Sequence, residues 1–374
     1  MILDSHCQLQ TRSDEESGSF IQDVKLEMGL GRTLKAALID SRGRLQLANV
    51  ERPRIGRGEL LVKMKVCGIC GTDLEKLRGL RVTPPVLGHE VTGDIEEVGA
   101  GVEGYSRGDR VAVHHHVPCH NCYYCMRGDH TLCEEFPKSN LDPCGFSECF
   151  RVPETNVAKG GVFRLPSGLG YEEAALAEPT GCCIRGLDRL GIRTEDSALV
   201  VGAGPAGLAY VQLLRAFGAG LVIATDMIES RVKWAKKFGA DQAFNADDMA
   251  LNQRVLEATE GRGVDNVVVA SGNVRAIQAS FPLVRKGGKI LLFGIPPEGS
   301  VFACDASGVF IREIKLIPSY STTENEIKRA LEMMEAGMIR LTEMITHRFH
   351  LSEIAEAFRI ADDAQSSLKV MVHE

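Results

Sequence analysis

From Leu34 to about Arg151, apolar positions fall in short runs broken by Gly and Pro, such as Lys35-Ala-Ala-Leu-Ile, Glu59-Leu-Leu-Val-Lys-Met-Lys-Val and Asp109-Arg-Val-Ala-Val. Runs of this length, separated by turn residues, predict a compact and mostly β domain. From Ser197 the texture changes. Strand-like runs at 198–201, 221–225, 267–270 and 289–293, with weaker ones at 242–244 and 314–317, alternate with helix-like stretches at 206–217, 229–238 and 275–284. Six strands with helical crossovers predict an α/β fold with a doubly wound parallel sheet. After about Asn325, Ile354, Ala357, Phe358 and Ile360 lie at helical spacing. That segment is expected to return to the first domain. The expected organisation is 34–185 together with 325–374 as one domain and 186–324 as the other.

Composition narrows the class. The 374 residues are 44% hydrophobic and 25% charged, with a formal net charge of −7. A mildly acidic chain without a basic block is a poor partner for nucleic acid or an anionic membrane surface. Residues 1–33, with the polar run Thr11-Arg-Ser-Asp-Glu-Glu-Ser-Gly, read as a flexible extension and not as an export signal. The longest apolar run, 198–214, is interrupted by Gly202, Gly204, Pro205 and Gly207 and so does not predict a membrane span. Twelve cysteines without an export signal point to a reducing compartment, the cytoplasm, where clustered thiols mean metal or catalysis.

Four of those thiols, Cys119, Cys122, Cys125 and Cys133, follow a C-x2-C-x2-C-x7-C spacing. Disulfides between such close neighbours would close almost no loop and constrain little of the unfolded chain. A bacterial ferredoxin pattern would place its fourth Cys after three residues and follow it with Pro, whereas Glu134 follows here. Four convergent thiolates suit a closed, structural zinc site.

A second motif, Gly202-Ala-Gly204-Pro205-Ala206-Gly207, lies between a strand-like and a helix-like run. Its glycines allow a tight turn, a close backbone approach to a pyrophosphate, and close helix–strand packing. Asp226 ends the next strand, 24 residues after Gly202, where a carboxylate can bind ribose hydroxyls and repel a 2′-phosphate. NAD is therefore expected over NADP, with Arg231 leaving some tolerance for the latter. Gly294 and Ile295, at the end of the 289–293 run, complete the expected cofactor-binding set.

A nicotinamide accepts hydride but does not activate an alcohol. Three dispersed clusters offer ligands for a metal that could do so. These are Cys70 in Gly-Ile-Cys70-Gly-Thr72-Asp73, His89-Glu90 after Gly88, and Glu178 before Pro179. A Cys, a His and a carboxylate make three protein ligands and leave a position open, as in catalytic zinc sites. Their spacing does not link them.

In this order, and with the Cys119–Cys133 lobe and the glycine motif, the chain resembles the zinc-dependent medium-chain alcohol dehydrogenases from about Leu34 to the C-terminus. It is most similar to the polyol branch, the sorbitol or L-iditol dehydrogenases, with threonine dehydrogenases next. The resemblance implies a GroES-like catalytic domain and a Rossmann coenzyme domain, two zinc ions per chain, NAD, and a small alcohol substrate in a homodimer or homotetramer. It assigns the catalytic zinc to Cys70, His89 and either Glu90 or Glu178. Thr72 stands where the family has a proton-shuttling hydroxyl, the alternative being a turn residue. Two departures stand out: Glu75 stands where relatives have a relay His and reads as a solvated helix residue or as a carboxylate that passes a proton, and Ser319-Tyr320 replaces an Arg-Tyr pair of polyol members. An L-threonine-like amino alcohol is the rival substrate, and a non-catalytic scaffold keeping only the structural zinc is the rival class. His114-His115-His116 is expected to be a surface patch at a strand end, because alternating directions would not make adjacent imidazoles converge. Cys67, Cys182 and Cys183 are expected to be packed residues.

Overall fold

The computed structural model describes residues 33–40, 42–79 and 86–374; the expected N-terminal extension, apart from Thr33, lies outside the described residues. Strands β1 (Thr33–Ile39) and β2 (Leu45–Glu51) pair as an antiparallel ribbon. The next five are β3 (Leu60–Gly68), β4 (Glu90–Val98), β5 (Arg110–Val113), β6 (Cys149–Val152) and β7 (Val162–Arg164). In β3 the apolar Leu60, Val62, Met64 and Val66 are buried on one face; on the other, Lys63 and Lys65 are partly exposed at the middle of the strand while Leu61 and Cys67 are buried towards its ends.

The coenzyme-type sheet follows: β8 (Ser197–Val201), β9 (Leu221–Asp226), β10 (Gln242–Asn245), β11 (Val264–Val269), β12 (Val284–Leu292) and β13 (Lys315–Pro318). Its order is β10-β9-β8-β11-β12-β13, and every pair is parallel. Ala198, Leu199 and Val200 are all buried, the continuous apolar run of a strand covered on both faces. The order reverses between β8 and β11, which places a ligand crevice at the carboxyl ends of these two strands.

β14 (Ile345–His350) and β15 (Lys369–His373) do rejoin the first half. They extend a seven-stranded sheet ordered β14-β15-β3-β4-β5-β7, with β6 also paired to β3. The helix Ile354–Asp362 buries Ile354, Ala357 and Phe358 in the same core as β3. One expected boundary is corrected. The third helix ends at Ser280, and β12 begins at Val284 where a helix had been expected to continue. Gly287, at φ 72°, lets the strand run through a segment that reads as a turn.

Candidate active site

The register of three strands builds the site. β3 pairs with β4 so that Gly68 faces Glu90, and with β15 so that Gly68 also faces Met371. Cys70 follows β3 by two residues, His89 immediately precedes β4, and Lys369 opens β15. Cys70, His89 and Glu90 thereby meet, with their donor atoms all within 4.8 Å of one another. A Cβ at position 68 would collide with the Glu90 carboxylate at 2.2 Å and with Lys369 Cε at 2.9 Å. Only glycine leaves room there for the pair.

Asp73 and Lys369 hold this set in place. Asp73 is fully buried, and its carboxylate accepts hydrogen bonds from the backbone amides of Cys70 and Gly88, each at 3.0 Å. The same group lies 3.5 Å from His89 Nδ1, so it orients the imidazole, as carboxylates do behind metal-binding histidines. The buried Lys369 ammonium pairs with Glu90 and donates to the Ile69 carbonyl at 2.9 Å. Burial opposes a charge on His89, but Asp73 and Cys70 outweigh it and raise the imidazole pKa. A field that favours an imidazolium also favours a divalent cation, so the donor set and its electrostatics fit zinc. Thr72 Oγ1 lies 3.7 Å from Cys70 Sγ. Glu75 is half-buried on the helix Gly71–Leu77.

Glu178 begins the helix Ala177–Leu190 and feels the charges of His89 and Glu90, so it borders their site. Its carboxylate lies within 4.8 Å of donor atoms on both His114 and His115. Burial pushes its pKa up to about 7. Cys182, one helical turn on, donates to it at 3.6 Å. The expected surface patch of histidines is therefore corrected: His114 is 0% and His115 8% exposed. The strand ends at Val113, so strand alternation no longer governs the residues that follow. Burial pushes all three imidazoles down, His114 to about 3 and His116 to about 4, which keeps them neutral near pH 7. The His115 and His89 ring centroids lie 5.0 Å apart.

The four-cysteine lobe also converges. Cys119, Cys122, Cys125 and Cys133 place their sulfurs within 4.8 Å of one another. The Asn121 backbone amide draws the Cys119 thiol down to about 6, while burial pushes Cys125 up to about 12. Four thiols and no vacant protein position fit a closed structural zinc site. His120 lies 3.2 Å from Glu324, and Arg185 donates to Thr131 at 3.3 Å. These contacts tie the lobe to the helices Glu324–Glu335 and Ala177–Leu190, the second of which carries Glu178.

At the end of β8, Gly202 adopts φ 97° and the helix Pro205–Ala216 starts immediately after Gly204. A Cβ on Gly207 would lie 1.8 Å from the Gly202 carbonyl oxygen, so helix and strand approach at a distance only glycine permits. Asp226 accepts from the Ala203 amide at 2.7 Å and the Ile228 amide at 2.8 Å, fixing the glycine turn against the end of β9. Its oxygens keep further lone pairs for a ribose hydroxyl. Arg231 reaches the same turn, with Nη1 3.5 Å from where a Gly204 Cβ would stand. Gly294 donates to Val269 at 3.0 Å, and Ile295 is exposed beside it, so both lie at the carboxyl end of the sheet.

Sequence reasoning brought the Cys70, His89 and Glu90 motifs to attention but assigned no role to Asp73 or Lys369. Asp73 lay inside a quoted motif. Lys369 carried no local signal, because 300 residues separate it from Ile69.

Comparison with known proteins agrees with this geometry. Residues 56–166 match the alcohol dehydrogenase GroES-like domain, and residues 205–336 match the zinc-binding dehydrogenase domain. The chain is 30% identical to a sorbitol dehydrogenase of Bacillus subtilis, over 91% of this chain and 98% of that protein. It is 33% identical to an L-threonine 3-dehydrogenase of Pyrococcus furiosus, over 84% of this chain and 91% of that protein. A putative zinc-binding dehydrogenase from Sinorhizobium meliloti, solved with NADP, superposes with a TM-score of 0.84 at 28% identity, covering 92% of this chain and 100% of that one. With both domains matched, and a nicotinamide-type glycine turn and zinc-type donor sets in one fold, the chain belongs to the zinc-dependent medium-chain alcohol dehydrogenases, which oxidise alcohols with a nicotinamide cofactor.

Proposed function

We propose that this chain oxidises a secondary alcohol or polyol to a ketone with NAD, using Cys70, His89 and Glu90 as the ligands of the catalytic zinc. The observation that carries the reading is the convergence of these three donors beside the buried Lys369 and Asp73. Glu90 is preferred to Glu178 as third ligand because Glu178 groups with His114 and His115. Cys119, Cys122, Cys125 and Cys133 take the structural zinc. Residues 34–185 with 325–374 form the catalytic half and 186–324 the coenzyme half, in keeping with the sheet to which each strand belongs.

When bound, the zinc supplies Lewis-acid polarisation of an alcohol oxygen, and the nicotinamide supplies a hydride acceptor. The residues of the chain do the rest. Asp73, 3.5 Å from His89 Nδ1, biases the orientation of the imidazole. Lys369 offsets the charge of Glu90, so the site tolerates a carboxylate at 1% exposure. Thr72 is placed to carry the hydroxyl proton away from the site, and Glu75 stands on the same helix, Gly71–Leu77. Gly202, Gly204, Pro205, Ala206 and Gly207 cradle the pyrophosphate at a helix N-terminus. Asp226 binds the adenosine ribose, its charge disfavouring a 2′-phosphate, and Arg231 faces the same turn. Gly294 and Ile295 flank the nicotinamide end.

Relatives named for sorbitol and for L-threonine support a polyol first and an amino alcohol second. Ser319, nearly buried with its hydroxyl unpartnered, and Tyr320, half-exposed, set the polarity of the substrate end without an arginine. Exposed Phe310 and Ile311 beside the edge strand β13 favour a homodimer or homotetramer. No described helix is long and apolar enough to cross a membrane, in keeping with a cytoplasmic enzyme. NAD reduction by the purified protein against polyols, secondary alcohols and L-threonine tests the reading. Turnover of a polyol supports it, turnover of L-threonine alone moves the assignment to the amino alcohol, and no turnover of any compound contradicts it.

A further inference from the structure

We propose that Arg185 is a positioning residue: on the reading above of Ser319 and Tyr320 as the substrate end, it joins the four-cysteine lobe to the turn 319–323 that carries them. An intact lobe then sets how the substrate end is held.

The turn lies against the wall of the site. A Cβ on Gly181, one helical turn after Glu178, would stand 2.8 Å from Thr322 Oγ1, so the turn packs directly on the helix Ala177–Leu190. Thr322 and Thr323 are buried, and the Thr322 backbone meets the ring of His114. Between these residues and Tyr320, Ser321 adopts φ 59°, a left-handed conformation that a residue with a side chain seldom enters. Such a conformation persists only where surrounding contacts enforce it.

Glu326 supplies two of those contacts. One carboxylate oxygen accepts from Thr323 N at 2.8 Å and from the Thr323 hydroxyl, which closes the turn onto the helix Glu324–Glu335. Arg185 Nη1 faces the other oxygen at 3.6 Å, while its Nη2 donates to Thr131 Oγ1 at 3.3 Å. Thr131 stands between Cys125 and Cys133, on the short helical turn His130–Leu132. A guanidinium carries its donors in a rigid planar fork, so one side chain holds partners on two segments at once. With side-chain exposures of 9% for Arg185 and 12% for Glu326, little water screens the pair. Thr131, Arg185, Glu326 and Thr323 therefore make one continuous chain from the lobe to the substrate end. None of the four is a proposed zinc ligand, so the chain acts on substrate placement and not on the hydride step.

Hydrogen exchange of the zinc-loaded full chain, read by mass spectrometry over residues 318–326, tests the link without turnover. Thr131→Val removes only the hydroxyl and Arg185→Met only the guanidinium. Each is expected to exchange about fivefold faster than the parent over this segment, with the zinc content unchanged. Thr131→Ser, which keeps the hydroxyl, is expected to match the parent. The double variant Thr131→Val/Arg185→Met is expected to exchange no faster than Arg185→Met, since both changes break one chain. With the best alcohol of the panel, Thr131→Val and Arg185→Met are each expected to raise KM about fivefold and to leave kcat within about twofold of the parent. Parental exchange in these two variants, a parental KM, or a fall in kcat as large as the rise in KM would overturn the proposal. Faster exchange in a chain that turns over no compound would support the link and contradict the function proposed above.

Discussion

Lys369→Met removes one charge from a buried pair and keeps most of the apolar stem. In the parent, Lys369 is 4% exposed and Glu90 1%, and the ammonium also donates to the Ile69 carbonyl at 2.9 Å. Removing one partner of such a pair leaves an uncompensated buried charge, at a cost of about 3–5 kcal/mol. For a chain of this size about 2 °C of melting temperature accompanies each kcal/mol, so a fall of roughly 6–10 °C is expected by thermal unfolding in chelator. Burial would depress the Lys369 ammonium, but Glu90 and Cys70 beside it hold its pKa above the ordinary value, so the ammonium stays charged at pH 7. The double variant Glu90→Gln/Lys369→Met removes both charges and is expected to recover most of the loss, because a neutral pair has no stranded charge to bury. A single variant that melts within about 2 °C of the parent, or a double variant that melts lower than either single one, would refute the reasoning.

Other expectations follow from the same geometry. Asp226→Asn should lower the NAD-to-NADP ratio of kcat/KM by about tenfold or more, equivalent to about 1.4 kcal/mol, and an unchanged ratio would remove Asp226 from cofactor choice. Cys125→Ser should lose one zinc and become sensitive to protease between positions 119 and 133, while the Cys70 ion stays; retention of the full metal count would contradict a four-thiolate site. Asp265 accepts from Ser197 N at 2.8 Å, Ser197 Oγ at 2.6 Å and Arg285 Nε at 2.6 Å. Burial acts against its charge, but these donors prevail and hold its pKa below the ordinary 3.8. Its contribution is therefore present above pH 3.8 and lost as pH falls below that value. Asp265→Ala should cost about 1.5–3 kcal/mol at pH 7 in denaturant titration, and a cost that persisted undiminished below about pH 3 would contradict the assignment.

The sequence made some of these features visible because they are local. Four cysteines within one loop, and three glycines between a strand and a helix, carry their geometry in their spacing. Cys70, His89 and Glu90 became a site only through resemblance, since the β3–β4 register that joins them is a tertiary fact. Asp73 stood inside a visible motif, yet its role depends on accepting two amide bonds that spacing does not reveal. Lys369 arrives from the far end of the chain along β15. His114 and His115 are buried because the strand stops at Val113, so the alternation that predicts an outward-facing patch does not extend to them.

The central claim is that Cys70, His89 and Glu90 hold the ion at which an alcohol is oxidised. Its most direct test is zinc content and NAD reduction measured on the same samples of the parent and Cys70→Ala proteins, with the best alcohol of the panel. The Cys70→Ala protein is expected to hold one ion fewer and to lose NAD reduction, while keeping the melting behaviour of its cysteine lobe. A Cys70→Ala protein with the parental zinc content and the parental rate would contradict the claim.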